Sequence, residues 1–414
     1  MDTPMSLALR TVGGIGRLLG IGNDRPTAMA GPVALAERDL RLDFFRGLSL
    51  LFIFIDHIPD NFLSNVTLHS VAFSDAAEVF VFISGYAAAL AYGHLFQSKG
   101  LLIATVHIYH RVWQLYVAHI FIFAVYAAMV SYSVLALPDP SFADSSRIAE
   151  FVSDPRVSLG EALLLRFQPQ YMDILPLYIV LLAGFPLVLA ALARRPLLAL
   201  VPSGALYVLT QTLGWHTPAY PAGHTWFFNP LAWQLLFVIG AVVGYAKVRG
   251  VQWLPSSNWL AGSAMTTAGV VAVINLSWMV QSNFTDEPDL LFTALAPYVG
   301  DKSNLDPVRL ASFLALALAA AHLVRTHSAV LSTRPAKWLI ACGQNSLHIF
   351  CLGILLSVLG QFVLTHYDDG LAMQTIVDLI GASLMIGLGL LAAWYKAQTH
   401  AHYAHARAAV IASR

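Results

Sequence analysis

Five ionisable residues stand out against an apolar chain. Arg46, Asp56 and His57 lie in R-L-D-F-F-R-G-L-S-L-L-F-I-F-I-D-H at 41–57, and Asp75 and Glu78 come just before F-V-F-I-S-G-Y at 80–86. A charge within or at the mouth of a membrane helix is costly, so it is a functional candidate by default. Arg46 and His57 are separated by about three turns, roughly 16 Å of helix, and so share a face at different depths. His57 and the two carboxylates that open the next helix can meet at one end. A carboxylate bonded to one imidazole nitrogen fixes the tautomer and supports the other nitrogen as general base, which a hydroxyl nucleophile needs near neutral pH. Asp56, His57, Asp75 and Glu78 could equally relay protons in a carrier or flippase, although the chain has no internal repeat and no matching pair of broken spans. Ser84 is a second candidate nucleophile, but a serine beside Gly85 is more commonly a packing residue.

Other polar residues gather on the same side. Asp173 closes one long loop, 138–173, and Lys302 lies in another, 281–309; each could bind a hydroxyl or carboxylate group, or they could pair with each other. The segment Gly214–Asn229 adds Trp226, Phe227, Phe228 and Asn229, an aromatic and amide set suited to the faces and hydroxyls of a sugar. His400, His402 and His405 have no carboxylate or thiolate companions, so no metal site is expected. Cys342 and Cys351, nine apart in one apolar run, are too far along a helix to bridge.

The elements that must carry these residues are membrane helices. Hydrophobic residues make up 57% of the chain and charged ones 11%, and the mean hydropathy is +0.67, which excludes an ordinary soluble domain. A net charge of zero gives no basic field for nucleic acid. Apolar runs predict about ten transmembrane helices in an all-α bundle: 42–61, 76–96, 112–137, 174–193, 197–213, 231–246, 260–280, 310–324, 339–364 and 375–395. The first forty residues read as a cytoplasmic tail without a signal peptide, 41–396 as one membrane domain and 397–414 as a second tail. With both termini inside, most Lys and Arg residues, among them Lys99, Arg111, Arg194, Arg195, Lys247 and Arg249, fall on the cytoplasmic side. The two long loops then face outward, as expected for a multi-pass protein of a bacterial inner membrane.

The ordered motifs carry a further signal. They are R-L-D-F-F-R-G at 41–47, D-H-I-P-D-N-F at 56–62, D-A-A-E-V-F-V-F-I-S-G at 75–85, Y-M-D-I-L-P-L-Y-I at 171–179, F-N-P-L-A-W-Q-L-L-F at 228–237, D-K-S-N-L-D-P-V-R-L at 301–310 and G-Q-N-S-L-H-I-F at 343–350. This set resembles the OpgC family, which succinylates osmoregulated periplasmic glucans and is related to the acyltransferase-3 superfamily of membrane acyltransferases. The resemblance implies an acyl-CoA donor, succinyl-CoA or acetyl-CoA, reached from the cytoplasm, and a periplasmic glucan or other polysaccharide as acceptor. It places the essential histidine at His57 and its arginine partner at Arg46. Arg111 falls on a third-span arginine, where a guanidinium fork suits the phosphates of CoA. Many superfamily members have two arginines in that motif, whereas H-R-V-W-Q-L-Y at 110–116 offers Arg111 with Gln114. His348, near the inner side of the ninth span, is a candidate for the donor channel.

Overall fold

The computed structural model describes residues 39–136, 149–251, 257–284, 301–325 and 328–412. Helices dominate them, and the only bridge of strand type among them joins Pro218 to Thr225. The helices are α1 (Leu40–Asp56), α2 (Ala76–Ala136), α3 (Ala149–Ser153), α4 (Pro155–Leu163), α5 (Ile174–Arg194), α6 (Leu197–Leu213), α7 (Pro230–Val248), α8 (Asn258–Phe284), α9 (Pro307–Leu323), α10 (Arg334–Gln344), α11 (Ser346–His366) and α12 (Leu371–Ala412). Among the described residues, six helices are long and apolar enough to cross a membrane: the apolar part of α2, then α5, α7, α8, α11 and α12. α6 and α9 are shorter apolar helices. Each expected span has a helix along most of its described length, but the outlines differ in places; the first, expected to run to residue 61, ends at Asp56, so His57 lies in the turn beyond it.

The second and third expected spans belong to α2, which breaks at Gly100, where φ is +82° and ψ 173°. That backbone suits a residue without Cβ, and it divides α2 into two arms without a longer connecting loop. The ninth span is split at Asn345 into α10 and α11. Asn345 donates to the Ala341 carbonyl at 2.9 Å and accepts from Lys396 Nζ at 2.6 Å, so the break is held by side-chain bonds that hydropathy does not encode. The loop at 138–173 contains α3 and α4, the latter capped by Asp154, which accepts from Val157 N–H at 3.3 Å. α12 continues to Ala412, through residues expected to form a tail. The expected N-terminal tail lies outside the described residues.

Glycines set the closest helix pairs. A Cβ on Gly85 would collide with the Phe237 carbonyl, one on Gly240 with the Phe82 carbonyl, and one on Gly244 with the Tyr86 carbonyl. The first arm of α2 and α7 therefore touch backbone to backbone, the small-residue packing that membrane helices favour. Gly47 against Leu339 and Gly343 against Asp43 do the same for α1 and α10. Between α2, α5 and α7 lies an apolar core, in which Phe185 meets Phe237 edge to face at 5.7 Å and Trp233 is fully buried.

Candidate functional site

The turn after α1, the start of α2, the segment before α5, the segment before α7 and the segment before α9 converge at one end of the bundle. Asp75 and Glu78 open α2 as a capping box: Glu78 Oε2 accepts from Asp75 N–H at 2.8 Å, and Asp75 Oδ1 accepts from Ala77 N–H at 2.8 Å. Their remaining oxygens face two cations from the far half of the chain. Lys302 Nζ lies 2.5 Å from Asp75 Oδ2. Arg309 Nη2 lies 3.5 Å from the same Asp75 oxygen and donates to Glu78 Oε1 at 2.7 Å, while its Nε donates to that oxygen at 3.0 Å. Glu78 is fully buried and the Arg309 side chain is 12% exposed. Four opposite charges thus neutralise one another in a desolvated cluster.

Burial opposes ionisation of Asp75, but Lys302 and Arg309 beside it hold its carboxyl well below the usual carboxylate range. For Lys302, burial alone would lower the ammonium, and the Asp75 and Glu78 charges instead carry it above its ordinary value.

The segment that presents Lys302 is anchored by the residues around it. Trp233 Nε1 donates to the Lys302 and Ser303 carbonyls, both at 3.1 Å, and Asn229 N–H donates to Ser303 O at 3.0 Å. Asn229 Nδ2 donates to Trp215 O at 2.7 Å and Asn304 Oδ1 at 2.9 Å, and its Oδ1 accepts from Leu231 N–H at 3.2 Å. Tyr207 and Gln211 of α6 donate to the Leu305 and Asn304 carbonyls at 2.8 and 2.6 Å. Lys302 Nζ stands 5.7 and 5.5 Å from the ring centres of Phe227 and Phe228, a cation–π pairing.

His57 follows α1 directly, and its ring stacks on Tyr171 with centres 4.4 Å apart. Asp75 and Lys302 both lie within electrostatic range of it. Its Nδ1 is buried and has no hydrogen-bond partner, so neither Asp75 nor Glu78 orients the imidazole through that nitrogen as the sequence suggests. The carboxylates are committed to the cations, and Tyr171 fixes the plane of the ring instead. Asp56 turns to other partners: its Oδ1 accepts from Thr67 Oγ1 at 2.7 Å and lies 3.4 Å from His69 Nδ1.

Beside this group opens a cleft of about 230 Å³, whose lining includes Phe167, Gln168, Asp173, Tyr220, His224 and Phe227. Asp173 stands at the N-terminus of α5 on its wall, and Phe227 joins it to Lys302. Trp226 is not among the lining residues: its indole is buried, with Nε1 unpartnered, and its neighbour Phe227 takes that position. Asn229 is fully buried and ties the loops together.

The remaining candidates are spread along the bundle. Arg46, 13% exposed, donates to the Ile83 carbonyl at 3.3 Å and approaches Asp43 to 4.0 Å. Ser84 is buried beside Gly85, where α2 meets α7. Arg111 lies on the second arm of α2 and donates to Gln114 at 3.1 Å. His348 is exposed on the first turn of α11. Arg309 and Tyr171 are absent from the expected set. A motif boundary that ends D-P-V-R-L at 306–310 was the available signal for the first, and Y-M-D at 171–173 for the second.

No curated protein matches the chain. A family model described as OpgC protein matches residues 38–397, which takes in the whole cluster, the cleft and every helix from α1 to α11. The chain therefore belongs to the OpgC family.

Proposed function

We propose that this protein is an integral membrane O-acyltransferase that moves an acyl group, succinyl in the leading reading, from cytoplasmic acyl-CoA to a hydroxyl of a periplasmic glucan. Family membership and six membrane-length apolar helices fit a membrane glucan-modifying transferase. The observation that carries the finer reading is His57: a ring held by Tyr171, with a buried unpartnered nitrogen, beside a charge cluster and a cleft of aromatic and polar side chains. In this reading the cleft takes the acceptor sugar, with Phe167, Tyr220 and Phe227 against ring faces and Gln168 and Asp173 on hydroxyls. His57 accepts the proton of one sugar hydroxyl as its oxygen attacks the thioester carbonyl. The C–S bond then breaks, CoA leaves as a thiolate, and the imidazolium returns the proton to sulfur, giving a glucan ester and free CoA. Glu78, Asp75, Lys302 and Arg309 are positioning residues that fix the start of α2 and the 301–306 segment around the histidine. Arg111, with Arg46 deeper in the bundle, belongs to the donor side. The proposal includes an inner-membrane location, ten spans and both termini in the cytoplasm.

The test is incubation of the purified full chain with labelled succinyl-CoA or acetyl-CoA and a periplasmic glucan. Succinyl transfer to the glucan is expected. Transfer of acetyl alone would make it an O-acetyltransferase, and transfer of neither label would overturn the acyl-CoA reading.

A further inference from the structure

The second arm of α2 carries a histidine that the reaction described above does not use. His119 is fully buried, and neither Nδ1 nor Nε2 has a hydrogen-bond partner. Each buried nitrogen without a partner forgoes the hydrogen bonds it makes in water, so native interiors rarely keep such a ring without a use. The surroundings give it one. His119 and Tyr126 are two turns apart and share the buried stripe of Leu115 and Ile122. Tyr126 lies within electrostatic range of Tyr171 and Asp173, at the end of the bundle where Tyr171 stacks on His57. Eight residues before His119 comes Arg111, within electrostatic range of Tyr92 on the first arm. From Arg111 to Tyr126 is roughly 22 Å of helix at 1.5 Å per residue. Arg111, His119 and Tyr126 therefore share one face of the second arm between the proposed donor clamp and the proposed base, with the unsatisfied imidazole midway.

We propose that His119 lines the passage through which the extended pantetheine arm of the acyl-CoA donor reaches His57, with a ring nitrogen hydrogen-bonding an amide of that arm. The inference rests on the acyl-CoA reading of the site. It gives the buried histidine the kind of ligand that an apolar passage with one polar station would recognise: a thin, largely apolar chain interrupted by amides.

The test compares CoA with adenosine 3′,5′-bisphosphate, which keeps phosphates and base but lacks the arm. In the purified full chain, His119→Phe should weaken CoA binding about tenfold, the effect of about 1.4 kcal/mol, and leave the nucleotide unchanged. As a second route, His119→Cys in a Cys342→Ser, Cys351→Ser background should react with a small maleimide. CoA should protect the introduced thiol and the nucleotide should not. Unchanged CoA affinity in His119→Phe, an equal loss for both ligands, a thiol that stays unreactive in the folded protein, or one that CoA fails to protect would overturn the passage while leaving the acyl-CoA reading standing. Failure of the parent protein to bind CoA would overturn both.

Discussion

Removing Arg309 tests the charge cluster most directly, because its two donors to Glu78, at 2.7 and 3.0 Å, meet a carboxylate with no exposure to solvent. In Arg309→Met, Glu78 keeps the Asp75 N–H, and Asp75 keeps Lys302. Breaking one side of a buried pair costs about 3–5 kcal/mol. Arg309→Met should therefore lose about 3–5 kcal/mol at pH 7, and reversible unfolding by SDS titration in mixed micelles reads the difference. Glu78→Gln combined with Arg309→Met should recover most of the pH 7 loss, since no unpaired charge then remains. An Arg309→Met variant within 1 kcal/mol of the parent at pH 7, or a double variant whose losses simply add, would refute the argument.

His57→Gln keeps much of the volume of the ring but removes its basicity, so glucan acylation should fall by about a hundredfold or more while the protein folds and binds CoA; parental rates would move the chemistry away from His57. Gly85→Ala should destabilise the chain by about 1–3 kcal/mol in the same SDS titration, whereas Gly184→Ala, which meets open space, should be nearly neutral. Asn229→Ala should cost about 1–3 kcal/mol of stability by releasing the 301–306 segment. A variant of normal stability and weakened glucan binding would instead make Asn229 an acceptor ligand. For topology, Ala222→Cys should react with an impermeant maleimide from the periplasm and Lys99→Cys only after the cells are opened; the reverse pattern would invert the orientation.

Much of this architecture is written in local patterns. Apolar length locates the membrane helices, though not α3 and α4 in the expected 138–173 loop, and the D-A-A-E run at 75–78 announces a helix start with two carboxylates on it. What local pattern cannot carry is the partner. Nothing in the sequence around Glu78 points to Arg309, and Lys302 reads equally well as a mate for Asp173 until the fold seats it on Asp75. The role of Asn229 is hidden for the same reason: an amide in an aromatic loop looks like a ligand for a sugar until its bonds are traced to Trp215 and Asn304. Hydropathy marks a division near Gly100, between the runs 76–96 and 112–137, but not that helix continues on both sides of it, and it misses the split at Asn345 because apolar residues resume at Leu347.

The pairing of Glu78 with Arg309 also bears on how the protein is made. Its members are 231 residues apart. At a synthesis rate of roughly 5–20 residues per second, the carboxylates emerge on the order of 10–45 s before their counter-ions exist. Through that interval the start of α2 has only its own backbone N–H groups to satisfy Asp75 and Glu78. The capping box thus works first as a holding state during insertion, and the ribosome must deliver α9 before the bundle can close over a neutral pair.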